Sequence, residues 1–453
     1  MIKTQFPEIY LTNYTHPLGS TKTDSNKNII LSKRVRLGRG CHANDHVAVI
    51  GKELPHTVRS VAVPNVLQCC GSYVVLDQDG TIKRETEEKL KKDGYRILTI
   101  TPQDAPDTYN PFRYLKKEIG IILRLKGLCH YMMGNYTQAE KLLTESINTL
   151  AVTETKDEFW LDAQRALLYA VLLYLYHDGS SKDQNLAAAS EMLERANQKT
   201  EGKTELDLAF ERVKAQDPEA ACVVQYEIFK QIPEKTACNV LISLQDVFRK
   251  FADRRGEDTL HLETTGEEKT VIFLSLSTKD PASRILTSLF LTKFVEAVYS
   301  HAQALKQIPP ALPIQMILPD FASIGVLPDF LSKFLTMQHY RISCILLLRS
   351  ASELKQTYHD DADLLLDTGC MACVYSAAGG KEEKKAGVTV PLGGASISNP
   401  EYIANRAGYD RMPSGEKRPV LTADQVRTLA PGQVLCLIGG FDAVVDDEYA
   451  PEA

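Results

Sequence analysis

Short apolar stretches that alternate with helical patterns constrain this chain most strongly. Residues 46–50, 72–76 and 95–101 read as buried strands, and helical stretches lie between them. Strand–helix–strand units with buried strands predict a mainly parallel sheet covered by helices. The same pattern resumes later in the chain, where strands are predicted at 269–277, 313–321, 342–348, 371–377 and 434–438.

A helical block interrupts this alternation between residues 113 and 255. The predicted helices are 115–134, 136–150, 157–177, 183–198, 204–214, 218–230 and 234–252. Because strands occur on both sides of the block, we predict one α/β domain, formed by 31–112 and 256–453 and split by an all-α inserted domain at 113–255. The polar segment 1–30 is expected to be flexible.

The segment after the first predicted strand matches a phosphate-binding loop only in part. A P-loop reads G-x-x-x-x-G-K-[ST]; its backbone N–H groups surround the phosphates, its Lys contacts the β and γ oxygens, and its hydroxyl holds Mg²⁺. Here Gly51 keeps the first glycine, but His56, Thr57 and Val58 replace the last three motif residues. Pro55 also lacks an N–H group. The surroundings therefore predict an ATPase fold, whereas the loop lacks the residues that bind phosphate.

The second half of an ATPase site is altered as well. In RecA-like ATPases one strand ends in an Asp that holds Mg²⁺, and the next carboxylate activates the attacking water. Pro319 occupies the first position and Asp320 the second, although an N-cap or turn would also explain Asp320. Arg349 follows the strand 342–348, where such enzymes place a residue that senses the γ-phosphate. A phosphate or a partner carboxylate would hold this arginine equally well.

Other polar residues have structural explanations. Asp77 and Asp79 follow the second strand, where ligands gather in open α/β sheets, but turn formation explains them too. Cys370-x-x-Cys373 lies in an apolar run, so we interpret it as core thiols rather than a metal or redox site. The ten cysteines without a secretory leader favour a reducing cytosol. Residues 33–36 form a basic run that we interpret as a solvated loop.

The order of these landmarks resembles the TraG-type coupling proteins of conjugative type IV secretion, from about residue 28 to the C terminus. Residues 61–80 (VAVPNVLQCCGSYVVLDQDG) are similar to the family's VKPNLLQ…GSYVVTDPKG stretch. Residues 320–325 (DFASIG) resemble its DEFANIG. Further similar segments are 28–37, 110–112, 159–160, 235–243, 350–358 and 379–381.

This resemblance implies a RecA-like, membrane-anchored hexameric ATPase that passes a relaxase–DNA complex to a secretion channel and uses its helical domain for substrate recognition. The chain departs from that pattern at His56, Thr57 and Val58, at Pro319 in place of Asp, and at Arg349 in place of Gln. It also shows no N-terminal membrane anchor. We therefore predict no catalytic residue, no metal and no cofactor.

The leading hypothesis is a non-catalytic adaptor or regulator. Its expected partners are a relaxase or accessory protein, an active coupling ATPase, or the secretion channel. Any DNA contact would be indirect, and the sequence is compatible with an oligomer. The expected location is cytoplasmic, and any attachment to the inner face of the plasma membrane would be made through partners. The alternative is a weakly active or nucleotide-binding protein that holds ATP with Mg²⁺ through Lys52, Asp320 and Arg349. A decaying gene copy without a role ranks last.

Overall fold

The computed structural model describes residues 9–11, 28–40, 44–51, 53–102, 107–115, 158–177, 182–200, 202–305, 310–377, 381–385, 388–392, 400–411 and 417–450. The helices predicted at 115–134 and 136–150 and most of the segment 1–30 therefore lie outside the described residues. Lys52, which the nucleotide-binding alternative requires, also lies outside them.

In chain order the strands of the described chain are β1 Ile9–Leu11, β2 Ile29–Ile30, β3 Val35–Leu37, β4 Val47–Ile50, β5 Ser72–Leu76, β6 Arg96–Ile100, β7 Lys199–Thr200, β8 Lys203–Thr204, β9 Thr270–Leu274, β10 Ile314–Pro319, β11 Ile342–Leu348, β12 Ala372–Ser376, β13 Lys381–Lys385, β14 Val388–Leu392, β15 Tyr409–Arg411, β16 Lys417–Pro419, β17 Gln433–Ile438 and β18 Val444–Asp447. The eight predicted strands correspond to β4, β5, β6, β9, β10, β11, β12 and β17 to within a few residues at each end, and the other strands of the described chain were not predicted.

Nine of these strands form one sheet, in the order β18-β17-β12-β4-β11-β10-β5-β9-β6. The central pairs β12–β4, β4–β11, β11–β10 and β10–β5 are parallel, whereas β17 and β18 are antiparallel additions at one edge. Every residue of β4, β5, β10 and β11 is buried. Continuous burial is typical of parallel strands that are covered on both faces. The predicted mainly parallel sheet is confirmed.

The described chain also contains fourteen α-helices. They are α1 Leu54–Thr57, α2 Val63–Leu67, α3 Thr81–Lys92, α4 Glu158–His177, α5 Leu186–Arg195, α6 Glu205–Gln216, α7 Ala221–Lys230, α8 Glu234–Phe248, α9 Pro281–Leu305, α10 Phe330–Thr336, α11 Ala351–Tyr358, α12 Asp361–Leu364, α13 Pro400–Arg406 and α14 Ala423–Arg427.

The helical stretch after β4 contains one wide turn. A π-helical segment at Val58–Ala62 joins α1 to α2, and the N–H of Val63 bonds to the carbonyl of Val58. Pro64 explains this turn, because proline has no N–H and its ring displaces the carbonyl four residues earlier. The side chain of Asn65 stabilises the segment by donating to the carbonyl of Val61 at 2.9 Å.

The helices predicted between 157 and 252 correspond to α4 through α8. The short strand pair β7–β8 was not predicted, and it precedes α6, which begins at a capping box formed by Thr204 and Asp207. The apolar residues of α4 are mostly buried, as predicted for the run 166–176. Among the described helices, none combines the length and the apolar character that crossing a bilayer requires.

The chain folds into two compact units. The first contains Met1–Ile97, Thr264–Phe273 and Tyr299–Ala453, and the second contains Leu98–Glu263 and Leu274–Val298. The second unit holds the helical block but also takes in the beginning of α9. The domain boundaries at 112/113 and 255/256 remain a prediction.

His46 is a basic side chain that is buried in the first unit. Its Nδ1 accepts a hydrogen bond from the backbone N–H of Cys344 at 3.0 Å, and its ring stacks on Phe334 with the centroids 4.0 Å apart. Burial lowers the pKa of His46 from 6.5 to about 4. The folded protein therefore holds this ring neutral at neutral pH.

We expect His46 to make the first unit sensitive to acid. Because its folded pKa lies below the unfolded value, its contribution to stability is complete above pH 6.5 and is lost as the pH falls towards 4. Between pH 7.5 and pH 5 this loss corresponds to about 2 kcal/mol of unfolding free energy.

Urea unfolding of wild type and His46→Asn at both pH values measures this loss. The variant should lose less stability than wild type over this interval, whereas His339→Asn, which changes an exposed histidine, should behave as wild type. Equal pH dependence in wild type and His46→Asn would contradict the assignment.

Candidate functional site

The predicted site residues come together at one edge of the sheet in the first unit. Gly51, Asp77 and Arg349 directly follow β4, β5 and β11, and Asp320 directly follows β10. Because these strands are parallel, their carboxyl ends meet at the same edge. Ser376, the last residue of β12, lies at the same edge beside Gly51 and was not predicted.

Gly51 is packed too tightly for any side chain. A Cβ atom at this position would lie 2.9 Å from Cγ2 of Thr57 and 3.0 Å from Cβ of Ser376. The N–H of Gly51 is also occupied, because it donates to the carbonyl of Leu348 at 2.9 Å. Gly51 aligns with the first glycine of a P-loop, but in this chain it is packed between the strand ends and the helix that follows β4.

The helix begins too early to leave an open loop. Only Gly51, Lys52 and Glu53 separate β4 from α1, so His56 and Thr57 lie on the helix and Val58 on the π-helical turn. The N–H groups of His56 and Thr57 both donate to the carbonyl of Glu53, at 3.0 and 3.1 Å. Since Pro55 has no N–H, the first turn supplies no free donor at these three positions.

The side chain of Thr57 is also unable to reach a ligand. It is almost completely buried, and its Oγ1 donates to the carbonyl of Leu54 at 3.0 Å. Val58 is buried in the core of the first unit. The side chains at these two motif positions therefore lie in the protein interior.

An acidic side chain from the end of the described chain lies beside His56. The carboxylate of Glu448 contacts Nε2 of His56 through Oε2 and accepts a hydrogen bond from Oγ of Ser376 through Oε1. The side chain of Glu448 is only 8% exposed. Sequence reasoning missed this residue, because nothing in the local pattern links it to a position 392 residues earlier.

Asp320 and Arg349 form an ion pair at the neighbouring strand ends. Arg349 Nη2 lies 2.5 Å from Asp320 Oδ2, and Glu353 lies 4.0 Å from the same guanidinium. Asp320 adopts a left-handed backbone conformation with φ of 57°. Its carboxylate makes no side-chain capping bond, so the partner-carboxylate interpretation of Arg349 fits and the N-cap interpretation of Asp320 does not. Pro319 ends β10 and offers no metal ligand.

Asp77 has the turn-forming role. Its two oxygens accept from the N–H groups of Ile82 and Lys83 at 3.1 and 2.8 Å, which caps the beginning of α3. Burial raises the pKa of Asp77, while these backbone bonds oppose the change. Asp79 likewise accepts from the N–H of Thr81 at 3.0 Å. Neither side chain needs a ligand to explain its position.

The thiols of Cys370 and Cys373 are buried, in agreement with the core interpretation. Burial raises the pKa of Cys373 to about 11 and that of Cys370 well above its usual value. Thiols that stay protonated at neutral pH are poor nucleophiles and poor metal ligands.

These residues do not fit Mg²⁺-ATP. Binding of a triphosphate needs free N–H donors and a cation, and Mg²⁺ needs a hydroxyl or carboxylate seat. The N–H groups of His56 and Thr57 bond to Glu53, the side chain of Thr57 is buried, and Pro319 lacks an oxygen side chain. Within the described part of the chain, no group of three or more His, Cys, Asp or Glu side chains is arranged to hold a metal.

Solved structures share the fold of this chain. The plasmid coupling protein TrwB in complex with ADP and Mg²⁺ superposes with a TM-score of 0.61 at 13% identity, over 94% of this chain and 90% of TrwB. The unbound form of the bacterial conjugative coupling protein TrwB gives 0.59 at 13% identity, over 93% and 88%. VirB4 of Thermoanaerobacter pseudethanolicus gives 0.50 at 12% identity, over 94% and 97%. A search of curated proteins found no match.

The mostly parallel sheet and its helices define the RecA-like P-loop fold. A family model described as type IV secretory system conjugative DNA transfer matches residues 18–445. The chain therefore belongs to the type IV secretory system conjugative DNA transfer family, in agreement with the resemblance found in the sequence.

The ion pair between Asp320 and Arg349 should be measurably coupled. Arg349→Met leaves a nearly buried carboxylate without its partner, so we expect a loss of about 1 kcal/mol, which the double variant Asp320→Asn/Arg349→Met should largely recover. Urea unfolding of the four proteins gives the coupling energy. The exposed pair Lys355–Asp363, 2.8 Å apart, is the control and should couple by less than about 0.5 kcal/mol. Equal coupling energies in the two pairs would contradict the prediction that the Asp320–Arg349 pair is the stronger one.

Proposed function

We propose that this protein is a non-catalytic member of the coupling-protein family. It would act as an adaptor or regulator when a relaxase–DNA substrate is transferred. The observation that supports this proposal is that two backbone N–H groups at the P-loop position already bond to another residue of the chain. His56 and Thr57 donate their N–H groups to Glu53, and the side chains of Thr57 and Val58 point into the interior.

Both halves of the site support the same proposal. Position 319, where the family places the Mg²⁺ ligand, holds a proline, and the following carboxylate of Asp320 is bound by Arg349. A charge-assisted contact from a P-loop lysine contributes about 1.5–3 kcal/mol. Losing that contact together with the N–H cradle and the metal ligand leaves little binding energy for a triphosphate.

Mg-ATP tests the absence of catalysis directly. We expect no heat of binding by isothermal titration calorimetry and no release of phosphate above the buffer blank. A ligand present at one hundred times its Kd would stabilise the protein by about 2.7 kcal/mol, so a thermal-shift screen with ATP, ADP and GTP should show no change. Micromolar binding with turnover would overturn the proposal.

One observation favours a second candidate, a nucleotide site of non-standard form. Oδ1 of Asp320 is buried and has no hydrogen-bond partner among the described residues, and the side chain of Arg349 beside it is 48% exposed. The guanidinium of Arg349 is able to donate to a phosphate, and the free oxygen of Asp320 is able to accept a hydrogen bond from a water molecule. If wild type is stabilised by ATP and Arg349→Met is not, this candidate replaces the first.

The second unit supplies the proposed partner surface. Val224 and Ile228 lie one helical turn apart on α7, and both side chains are more than 40% exposed. Ile242 on α8 and Phe159 on α4 are also exposed apolar residues of this unit. Exposed apolar side chains of this kind favour contact with another protein. We propose the relaxase or an accessory protein of the same conjugative element as the partner.

Substitution of the exposed residues on α7 tests this surface. Val224→Asp/Ile228→Asp should weaken binding of the purified relaxase at least tenfold, because it places charges at a desolvated contact. Val326→Asp, which changes an exposed apolar residue of the first unit, is the control and should bind as wild type. Surface plasmon resonance with the full chain gives the dissociation constants. Unchanged binding by the double variant would remove α7 from the proposed surface.

A further inference from the structure

Three successive acidic residues, 446–448, contact residues near the site edge of the first unit. Asp446 accepts hydrogen bonds from Ser32 and Arg34, Asp447 pairs with Lys33, and Glu448 contacts His56 and Ser376. We call the segment from Asp446 to Glu448 the acidic strap. The basic run at 33–36, which the sequence indicated as a solvated loop, is thus a partner of this strap.

Asp446 anchors the strap. Its carboxylate is almost completely buried and accepts from Oγ of Ser32 at 2.6 Å and from both the N–H and Nε of Arg34 at 2.7 Å. Burial would raise the pKa of Asp446, but these hydrogen bonds outweigh it and lower the pKa. The carboxylate therefore stays charged, and the position of β18 next to the N-terminal strands is fixed.

The carboxylate of Glu448 lies beside the segment that aligns with a P-loop, where it contacts His56 and Ser376. The backbone N–H of Glu448 donates to the carbonyl of Gly432 at 2.8 Å, which directs the side chain towards Ser376 and His56. Ser376 lies beside Gly51, because β12 and β4 are parallel neighbours. A carboxylate that is only 8% exposed needs compensating partners, and a hydroxyl and an imidazole provide them.

We propose that His56 and Ser376 form an anion-binding site that the chain fills with its own Glu448 carboxylate. The ligand class of the site is a carboxylate or a phosphate group. An external anion enters only when the strap releases the site, so the native protein does not respond to such anions. The inference rests on the proposed function, since it concerns the same strand ends after their loss of nucleotide binding.

The geometry distinguishes this site from an ordinary surface ion pair. Exposed pairs such as Lys33–Asp447 leave both side chains more than half in water, and they contribute little. The Glu448 carboxylate instead bridges two elements, the helix after β4 and the end of β12, and it is 8% exposed although the imidazole of His56 is half exposed. Its removal leaves a hydroxyl and an imidazole side by side, and a small anion is able to bridge them.

Removal of the internal carboxylate tests the proposal. Melting curves of the full chain are recorded with sodium pyrophosphate, with sodium acetate, and with sodium chloride at matched ionic strength. Glu448→Ala should melt below wild type, and saturating pyrophosphate or acetate should raise its Tm by about 3 °C more than sodium chloride does. Wild type and the control Asp447→Asn should show no such rise. The effective salt identifies phosphate or carboxylate as the preferred ligand.

A second variant assigns the response to this site. Glu448→Ala/His56→Ala should lose the anion response of the single variant, because the imidazole is removed. If Glu448→Ala does not fold, Glu448→Ser, which also removes the carboxylate and empties the site, is measured instead. An unchanged Tm, a Tm without an anion response, or a response that survives loss of His56 would each overturn the proposal. Turnover of ATP by wild type would contradict the proposed function alone and would leave this test intact.

Discussion

The short connection between β4 and α1 determines the chemistry available at this edge of the sheet. Gly51 fits without a side chain between Thr57 and Ser376, and the helix begins directly afterwards. The N–H groups of His56 and Thr57 bond to the carbonyl of Glu53, and Pro55 has no N–H group. The same parallel sheet that positions a phosphate cradle in an ATPase fold therefore positions a closed turn in this chain. The scaffold is retained because its stability comes from buried apolar strands, which do not depend on the loop.

Charged groups at the site edge satisfy one another, which replaces the role that a ligand would have. Arg349 holds Asp320, and His56 and Ser376 hold Glu448. A buried carboxylate is costly when it is left alone, so each acidic group at this edge requires a partner from the protein. Because these side chains pair with one another, the charges at this edge are compensated without a bound nucleotide.

Much of the fold could be predicted from the sequence, because buried parallel strands appear in it as continuous apolar runs. The runs that became β5 and β11 were predicted to the residue, and the helical block followed from its periodicity. The site was harder to predict. A motif template fixes spacing but not the point where a helix begins, so the template alone did not show that His56 lies on α1. Contacts such as those of Glu448 join distant parts of the chain and leave no local pattern.

The burial of Thr57 limits what a single substitution at this edge can change. A lysine at this position would extend into packed interior rather than towards solvent, because the native side chain is 1% exposed and lies against Gly51. A glycine in place of His56 would weaken the first helical turn by about 1 kcal/mol. Engineering a phosphate site here therefore requires a rebuilt connection between β4 and α1, and not only new side chains.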